Sequence, residues 1–236
     1  QGGAIGNWTN PFTANVYKLT YASGTFELSL IQNLTTGAGR GSILFLDSNN
    51  DGYVDIFQNG WSNTTNWTAQ SNLYINDGNN HFADAISATG IPAKANLTTI
   101  KGDINNDGKI DLAYAAQSSS GGAYVFINNG DNTFTQQTIT DFTAASIGGS
   151  IEGSDDSAQL LLIDFNNDKY MDAVVTYSGT YSNPWDFALK IFKNNGDGTF
   201  TKMPQTTKSG DATTFVGGQH GDIVSGDFIK MVMKIL

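Results

Sequence analysis

The chain of 236 residues contains no cysteine, one arginine (Arg40), two histidines and only four prolines. The lack of cysteine excludes a disulfide framework and zinc–thiolate sites. His81 and His220 stand in unrelated contexts, so no Ser/His/Asp set and no histidine-built metal cluster can be assembled from the sequence. Twelve Lys and Arg against 22 Asp and Glu leave a formal charge of −10 and a pI near 4.3. That sign argues against nucleic acid, whose phosphates need a basic surface. No apolar run approaches the ~20 residues of a membrane-spanning helix, and no N-terminal stretch reads as a signal peptide. No segment spaces its apolar residues at the helical period. What remains is rich in Gly, Asn, Ser and Thr, a composition of short strands and turns.

One acidic loop recurs. It reads Asp47-Ser-Asn49-Asn-Asp51-Gly52-Tyr53-Val-Asp55, then Asp103-Ile-Asn105-Asn-Asp107-Gly108-Lys109-Ile-Asp111, then Asp164-Phe-Asn166-Asn-Asp168-Lys169-Tyr170-Met-Asp172, and starts again at Gly226-Asp227-Phe228. The copies lie roughly 60 residues apart, a repeat period. Oxygen side chains at loop positions 1, 3, 5 and 9, with a turn glycine at position 6, suit a hard cation, and Ca²⁺ takes about six to eight such oxygens. The expected ligands are the side chains of Asp47, Asn49, Asp51 and Asp55 with the Tyr53 carbonyl. In the other loops they are Asp103, Asn105, Asp107 and Asp111 with the Lys109 carbonyl, and Asp164, Asn166, Asp168 and Asp172 with the Tyr170 carbonyl. Ca²⁺ is expected here as a structural staple. Lys169 replaces the glycine, so the third loop is either looser or holds a non-glycine residue at positive φ.

A hairpin interleaves with the loops. Leu73-Tyr-Ile-Asn-Asp77-Gly78-Asn-Asn-His81-Phe82 matches Val125-Phe-Ile-Asn-Asn129-Gly130-Asp131-Asn-Thr-Phe134 and Lys190-Ile-Phe-Lys-Asn-Asn195-Gly196-Asp197-Gly198-Thr-Phe200, and 16–26 is a fainter copy. An apolar strand, an Asn/Asp-Gly turn and a strand opening on Phe predict a β-hairpin. Each repeat thus reads as four antiparallel strands, the unit of a β-propeller blade. The loops, the hairpin and Phe215-Val-Gly-Gly-Gln-His220-Gly-Asp resemble the FG-GAP/VCBS repeats of integrin-α-like propellers, over nearly the whole chain. The expected fold is all-β, one propeller domain or propeller fragment over 1–236. It has three complete blades at about 43–90, 97–140 and 158–205, and a split blade from 12–32 with 213–236. The resemblance implies a parent ring of about seven blades. Ile229-Lys-Met-Val-Met-Lys-Ile-Leu236 departs from the repeat. Read one base out of frame, one choice of its codons encodes Asn-Lys-Asp-Gly-Tyr-Glu-Asp-Ile, which restores the fourth loop, so a frame slip is expected.

Antiparallel topology puts the acidic loops and the glycine turns on one face. On the other, the linkers hold Trp61, Trp67, Tyr181 and Trp185 beside amides, a set suited to a protein or glycan ligand. Asn7, Asn33, Asn63, Asn66 and Asn96 head N-glycosylation sequons. A chain opening on Gln1, with loops suited to millimolar Ca²⁺, reads as secreted or cell-surface. The expected function is adhesion, recognition or surface structure without catalysis. A glycan-binding lectin is the alternative, and the propeller of a polysaccharide-degrading enzyme, drawing on Glu27, Glu152, Asp155 and Asp156, is a third. Unpaired strand edges at the two ends are expected to be completed by missing sequence of a longer parent or by a neighbouring molecule, through self-association, rather than by closing within one chain as a four-bladed ring.

Overall fold

A computed structural model describes residues 13–35, 38–62, 69–92, 99–115, 122–143, 158–180 and 183–204. Strands β1 (Thr13–Ala22) and β2 (Thr25–Thr35) pair as a two-stranded ribbon. Blade one is β3 (Ala38–Leu46), β4 (Asp55–Ser62), β5 (Ala69–Asn76) and β6 (Phe82–Asp84). Blade two is β7 (Thr99–Gly102), β8 (Asp111–Ala115), β9 (Gly122–Asn128) and β10 (Phe134–Thr143). Blade three is β11 (Ala158–Ile163), β12 (Asp172–Thr180), β13 (Asn183–Asn194) and β14 (Phe200–Lys202). Within each blade the strands pair antiparallel in chain order. One 3-10 turn, Ile86–Ala88, follows blade one. The fold is all-β, as the sequence predicts, with three four-stranded antiparallel sheets and the ribbon among the described residues. The C-terminal half of the split blade, 213–236, lies outside the described residues.

The blades stack face to face. Phe57, Leu73 and Leu46 of blade one meet Leu112, Tyr114, Phe126 and Phe134 of blade two in one core. Ala113, Ala123 and Val125 of blade two meet Leu160, Val175, Phe192 and Phe200 of blade three in the next. Leu34 of the ribbon meets Ile56, Tyr74 and Phe82 of blade one in a third. A blade between two neighbours is buried on both faces, so its strands carry continuous apolar runs rather than an alternation; Ile56-Phe57 and Leu112-Ala113 are such runs.

The ribbon covers blade one with one face only. Ala14, Val16 and Leu34 pack inward, and the Gln32 side chain bonds both the N–H and the carbonyl of Phe82 at 2.8 Å. After a register shift between Val16 and Tyr17 the other face carries the pairs Tyr17–Leu30, Leu19–Leu28 and Tyr21–Phe26, all exposed.

Candidate functional site

In all three loops the first carboxylate nucleates the turn. Asp47 accepts the backbone N–H groups of Asp51 and Gly52 at 3.1 and 2.8 Å. Asp103 does the same for Asp107 and Gly108 at 3.0 and 2.9 Å, and Asp164 for Asp168 and Lys169 at 3.1 and 2.8 Å. Asn49, Asn105 and Asn166 cap the same N–H and donate to the fifth-position carboxylate. The fourth residue sits in the left-handed region, where asparagine is tolerated: Asn50, Asn106 and Asn167 have φ of 64°, 60° and 62°. Lys169 adopts φ 78° where Gly52 and Gly108 adopt 86° and 85°. The third loop therefore keeps the shape of the others and holds lysine in a glycine conformation.

The ninth-position carboxylates do something the sequence does not announce. Asp55, Asp111 and Asp172 are fully buried and turned toward the sheet. Asp55 accepts the N–H groups of Ser48 and Asn76 at 2.9 and 2.8 Å. Asp111 accepts those of Ile104 and Asn128, and Asp172 those of Phe165 and Asn194. Each carboxylate thus bridges its own loop to the end of strand three. The asparagine it meets is equally fixed: Asn128 donates to the Ile110 carbonyl and accepts from Gly130. Asn76 and Asn194 repeat this toward Val54 and Met171 and toward Gly78 and Gly196. The signal for this brace lies in the repeat: Asn stands two residues before the turn glycine in all three blades, where the ribbon has Ala22 before Gly24.

The seventh side chain closes the joint. A Cβ on Gly78 would fall 2.5 Å from the Tyr53 ring, and one on Gly196 would fall 2.8 Å from the Tyr170 ring. Loop and hairpin turn of one blade therefore form a single docked unit. The second residue reaches the next blade. Ser48 donates to the Asn132 side chain at 2.8 Å, and the Ile104 carbonyl accepts from Asn194 at 2.7 Å.

The electrostatics divide the acids. Burial pushes the Asp111 carboxyl up to about 6, against the opposing pull of the Asn128 and Ile104 N–H groups, and pushes Asp172 upward as well. The fifth-position acids of loops two and three move the other way. Asp168 is held below the usual carboxylate range by the Tyr170 N–H, helped by Asn166 and Lys193. Burial of Asp107 is outweighed by hydrogen bonds from Lys109 and Asn105. Lys109 reaches Asp107 at 2.8 Å and Lys193 reaches Asp168 at 3.4 Å. Among the described residues no ammonium pairs with loop one.

These loops hold oxygen donors alone, the chemistry of a hard cation. Positions 1, 3 and 5 are linked to one another, whereas position 9 faces inward with both oxygens bonded. Among the described residues no group of three or more His, Cys, Asp or Glu side chains converges to hold a metal. The donor set that fits Ca²⁺ is thus two carboxylates, an asparagine and the seventh carbonyl of each loop. Of the linker aromatics, Trp61 lies in β4 and Trp185 in β13, and Trp67 and Tyr181 lie outside the described residues. Asn33 is exposed on β2, and Asn7, Asn63, Asn66 and Asn96 lie outside them. Glu27 is exposed on the ribbon, and Glu152, Asp155 and Asp156 also lie outside.

Residues 103–175 match the family described as FG-GAP-like repeat. The match runs from the first residue of loop two through loop three into β12, so the chain carries the repeat that its motifs resemble. No curated protein sequence matches the chain. Among solved structures, it is similar to one described for specific recognition of non-reducing terminal N-acetylglucosamine by an Agrocybe aegerita lectin, at 20% identity and a TM-score of 0.48. The similarity covers 83% of this chain and 48% of that one, so the chain spans about half that protein's length.

Proposed function

We propose that the chain is an extracellular recognition or adhesion module of the β-propeller type, stapled by Ca²⁺ in its acidic loops and without catalytic activity. The supporting observation is that three loops of different sequence repeat one arrangement of oxygens at positions 1, 3 and 5. Two carboxylates so close repel each other, and a divalent cation removes that cost. Among the described residues no ammonium stands at loop one, which is the strongest site in this reading, while Lys109 and Lys193 compete with the cation at loops two and three. A binding role fits the one described histidine: His81 occupies an exposed hairpin turn and donates its backbone N–H to Asp77. Calorimetric titration of chelator-treated protein with Ca²⁺ tests the reading. Saturable binding that Asp51→Ala weakens at loop one, with a rise in melting temperature, is the expected result. No heat and no shift at millimolar Ca²⁺ retires it.

Glycan binding is the second reading. Asn59 is fully buried on the face of β4 that looks toward blade two, and neither atom of its amide has a partner. Ser71, directly opposite on β5, has an unbonded hydroxyl. Buried amides are nearly always hydrogen-bonded, so this pair calls for a water or a ligand hydroxyl. It sits at the strand ends that lead to the Trp61–Trp67 linker. Binding on a glycan array that Asn59→Ala abolishes supports this reading, and an array without signal removes it.

A further inference from the structure

We infer that loops two and three take up their cations as a coupled pair, each raising the affinity of the other through the Asn194 side chain, while loop one fills independently. This deepens the Ca²⁺ reading above and rests on it. The joint lies inside the chain: Asn194, Ile104, Asp111 and Asp172 are all fully buried. Ile104 is the second residue of loop two, and its N–H donates to Asp111 at 2.7 Å. Its carbonyl accepts from the Asn194 amide nitrogen at 2.7 Å, across the boundary between blades two and three. The same nitrogen donates to the Met171 carbonyl at 3.0 Å, and the Asn194 backbone N–H donates to Asp172 at 2.8 Å. Met171 and Asp172 are the eighth and ninth residues of loop three. One side chain therefore holds the near end of loop two and the far end of loop three.

A side-chain amide has two N–H groups, and here each has one carbonyl. Moving Ile104 away would strand a buried donor, which is costly, so Asn194 keeps its alignment on loop three while loop two keeps its shape. Sharing a cation fixes Asp103 and Asn105, and Ile104 lies between them in the chain. Loop three then has less ordering left to undergo, and a site with less ordering to undergo binds more tightly. Packing supports the bond: a Cβ on Gly198 would fall 2.9 Å from the Ile127 side chain, so the turn of blade three seats on β9. Loop one is joined differently. Asn132 donates its N–H to the Ser48 carbonyl at 3.2 Å and accepts from the Ser48 hydroxyl at 2.8 Å. Asn132 stands in the hairpin turn of blade two. Among the described residues the hydrogen bonds of Asn128, which braces loop two, stay within that blade. Loop one grips the turn and not the brace.

Residue-resolved NMR during Ca²⁺ titration of the chelator-treated chain tests this, with the N–H groups of Gly52, Gly108 and Lys169 reporting the three loops. Asp107→Asn weakens loop two. Lys169 is then expected to respond only at Ca²⁺ concentrations at least about fivefold higher, while Gly52 responds as in the parent. Asp168→Asn in loop three is expected to shift Gly108 by the same factor, because coupling is reciprocal. Salt at about 1 M screens charges beyond roughly 3 Å, so the lost carboxylate charge alone does not imitate the effect. Asn194→Ala, or Asn194→Ser if the alanine variant melts early, is expected to abolish both shifts. Shifts that persist without the Asn194 amide overturn the inference. Loops that respond independently in Asp107→Asn and Asp168→Asn overturn it as well and leave Ca²⁺ binding in place. Loops that never respond to Ca²⁺ retire both.

Discussion

The ribbon and the complete blades carry the same hairpin motif in opposite surroundings. In blade two the strand-three side chain Val125 and the strand-four Phe134 are buried between neighbours, and the turn glycine Gly130 bends between them. In the ribbon, Gly24 makes the equivalent turn at φ 83°, and the strands pair in register up to it. Yet Tyr21, Phe26 and Leu28 around it are bare. Local chemistry forms the hairpin in both places, since turn and pairing need only nearby residues. The core needs a second sheet, and the difference lies entirely in whether one is present. Blade one carries the same lesson on its inner strand: Ile43 is 52% exposed, whereas the corresponding Thr99 and Leu160 are each 4% exposed beneath a full preceding blade.

The largest effect expected from this contrast is in paired truncations. Phe134→Ala removes a ring from a closed core and is expected to cost about 3–5 kcal/mol, whereas Phe26→Ala in dilute protein is expected to stay within about 0.5 kcal/mol. Denaturant unfolding measures both. Equal losses would mean the ribbon face is covered in solution, and a Phe26→Ala loss that grows with protein concentration would locate the cover in a second copy.

Metal removal comes next. If each loop holds Ca²⁺ at about a hundred times its dissociation constant, chelation removes about 3 kcal/mol per loop from the blades. Hydrogen exchange separates the regions: amides of Asn76, Asn128 and Asn194, braced to the loops, are expected to exchange faster in chelator. Those of the ribbon turn, Ser23 and Gly24, have no such loop beside them and are expected to stay unchanged. Uniform acceleration throughout would contradict a local staple.

Blade order, loop positions and hairpins were legible because each is written in short-range residues that recur: Asn-Asn-Asp-Gly before a strand, Asn-Gly-Asp before Phe. The strain at Lys169 was legible too, since the repeat supplies glycine at that place. The inward turn of Asp55, Asp111 and Asp172 was not. Spacing alone makes the ninth residue one more oxygen beside a cation, and only the arrival of strand three shows its carboxylate bonded to two backbone N–H groups. Nor does spacing show that Tyr53 and Tyr170 lie across Gly78 and Gly196, which joins residues about 25 positions apart.

That inward turn makes the metal-free blades two and three sensitive to pH. The Asp111 carboxyl titrates near 6 in the fold, above its ordinary value of 3.8. A raised carboxyl pKa means the protonated form is favoured by folding. The contribution is present below about pH 4 and lost as pH rises through about 6, a change of roughly 2–3 kcal/mol for a shift of this size. Asp172 shifts in the same direction. Melting in chelator is therefore expected to fall between these values, and Asp111→Asn is expected to flatten the slope. A melting temperature that rises across this window, unchanged by the substitution, would count against burial as the dominant influence.

The smallest effect concerns the one loop that breaks the repeat. Lys169 sits at φ 78° and donates its N–H to Asp164 at 2.8 Å, as Gly52 does to Asp47 at the same distance. The backbone task is identical, and only the Cβ differs. A side chain in the left-handed region is strained by about 1 kcal/mol, offset in part by the extra freedom glycine gives the unfolded chain. Lys169→Gly is therefore expected to stabilise blade three by about 0.5–1 kcal/mol, and Gly52→Lys to destabilise blade one by a similar amount. Chemical denaturation of the two variants reads both signs. If Lys169→Gly destabilises instead, the lysine stem must make a packing contact that outweighs its backbone strain, and the third loop is adapted to its substitution rather than merely tolerant of it.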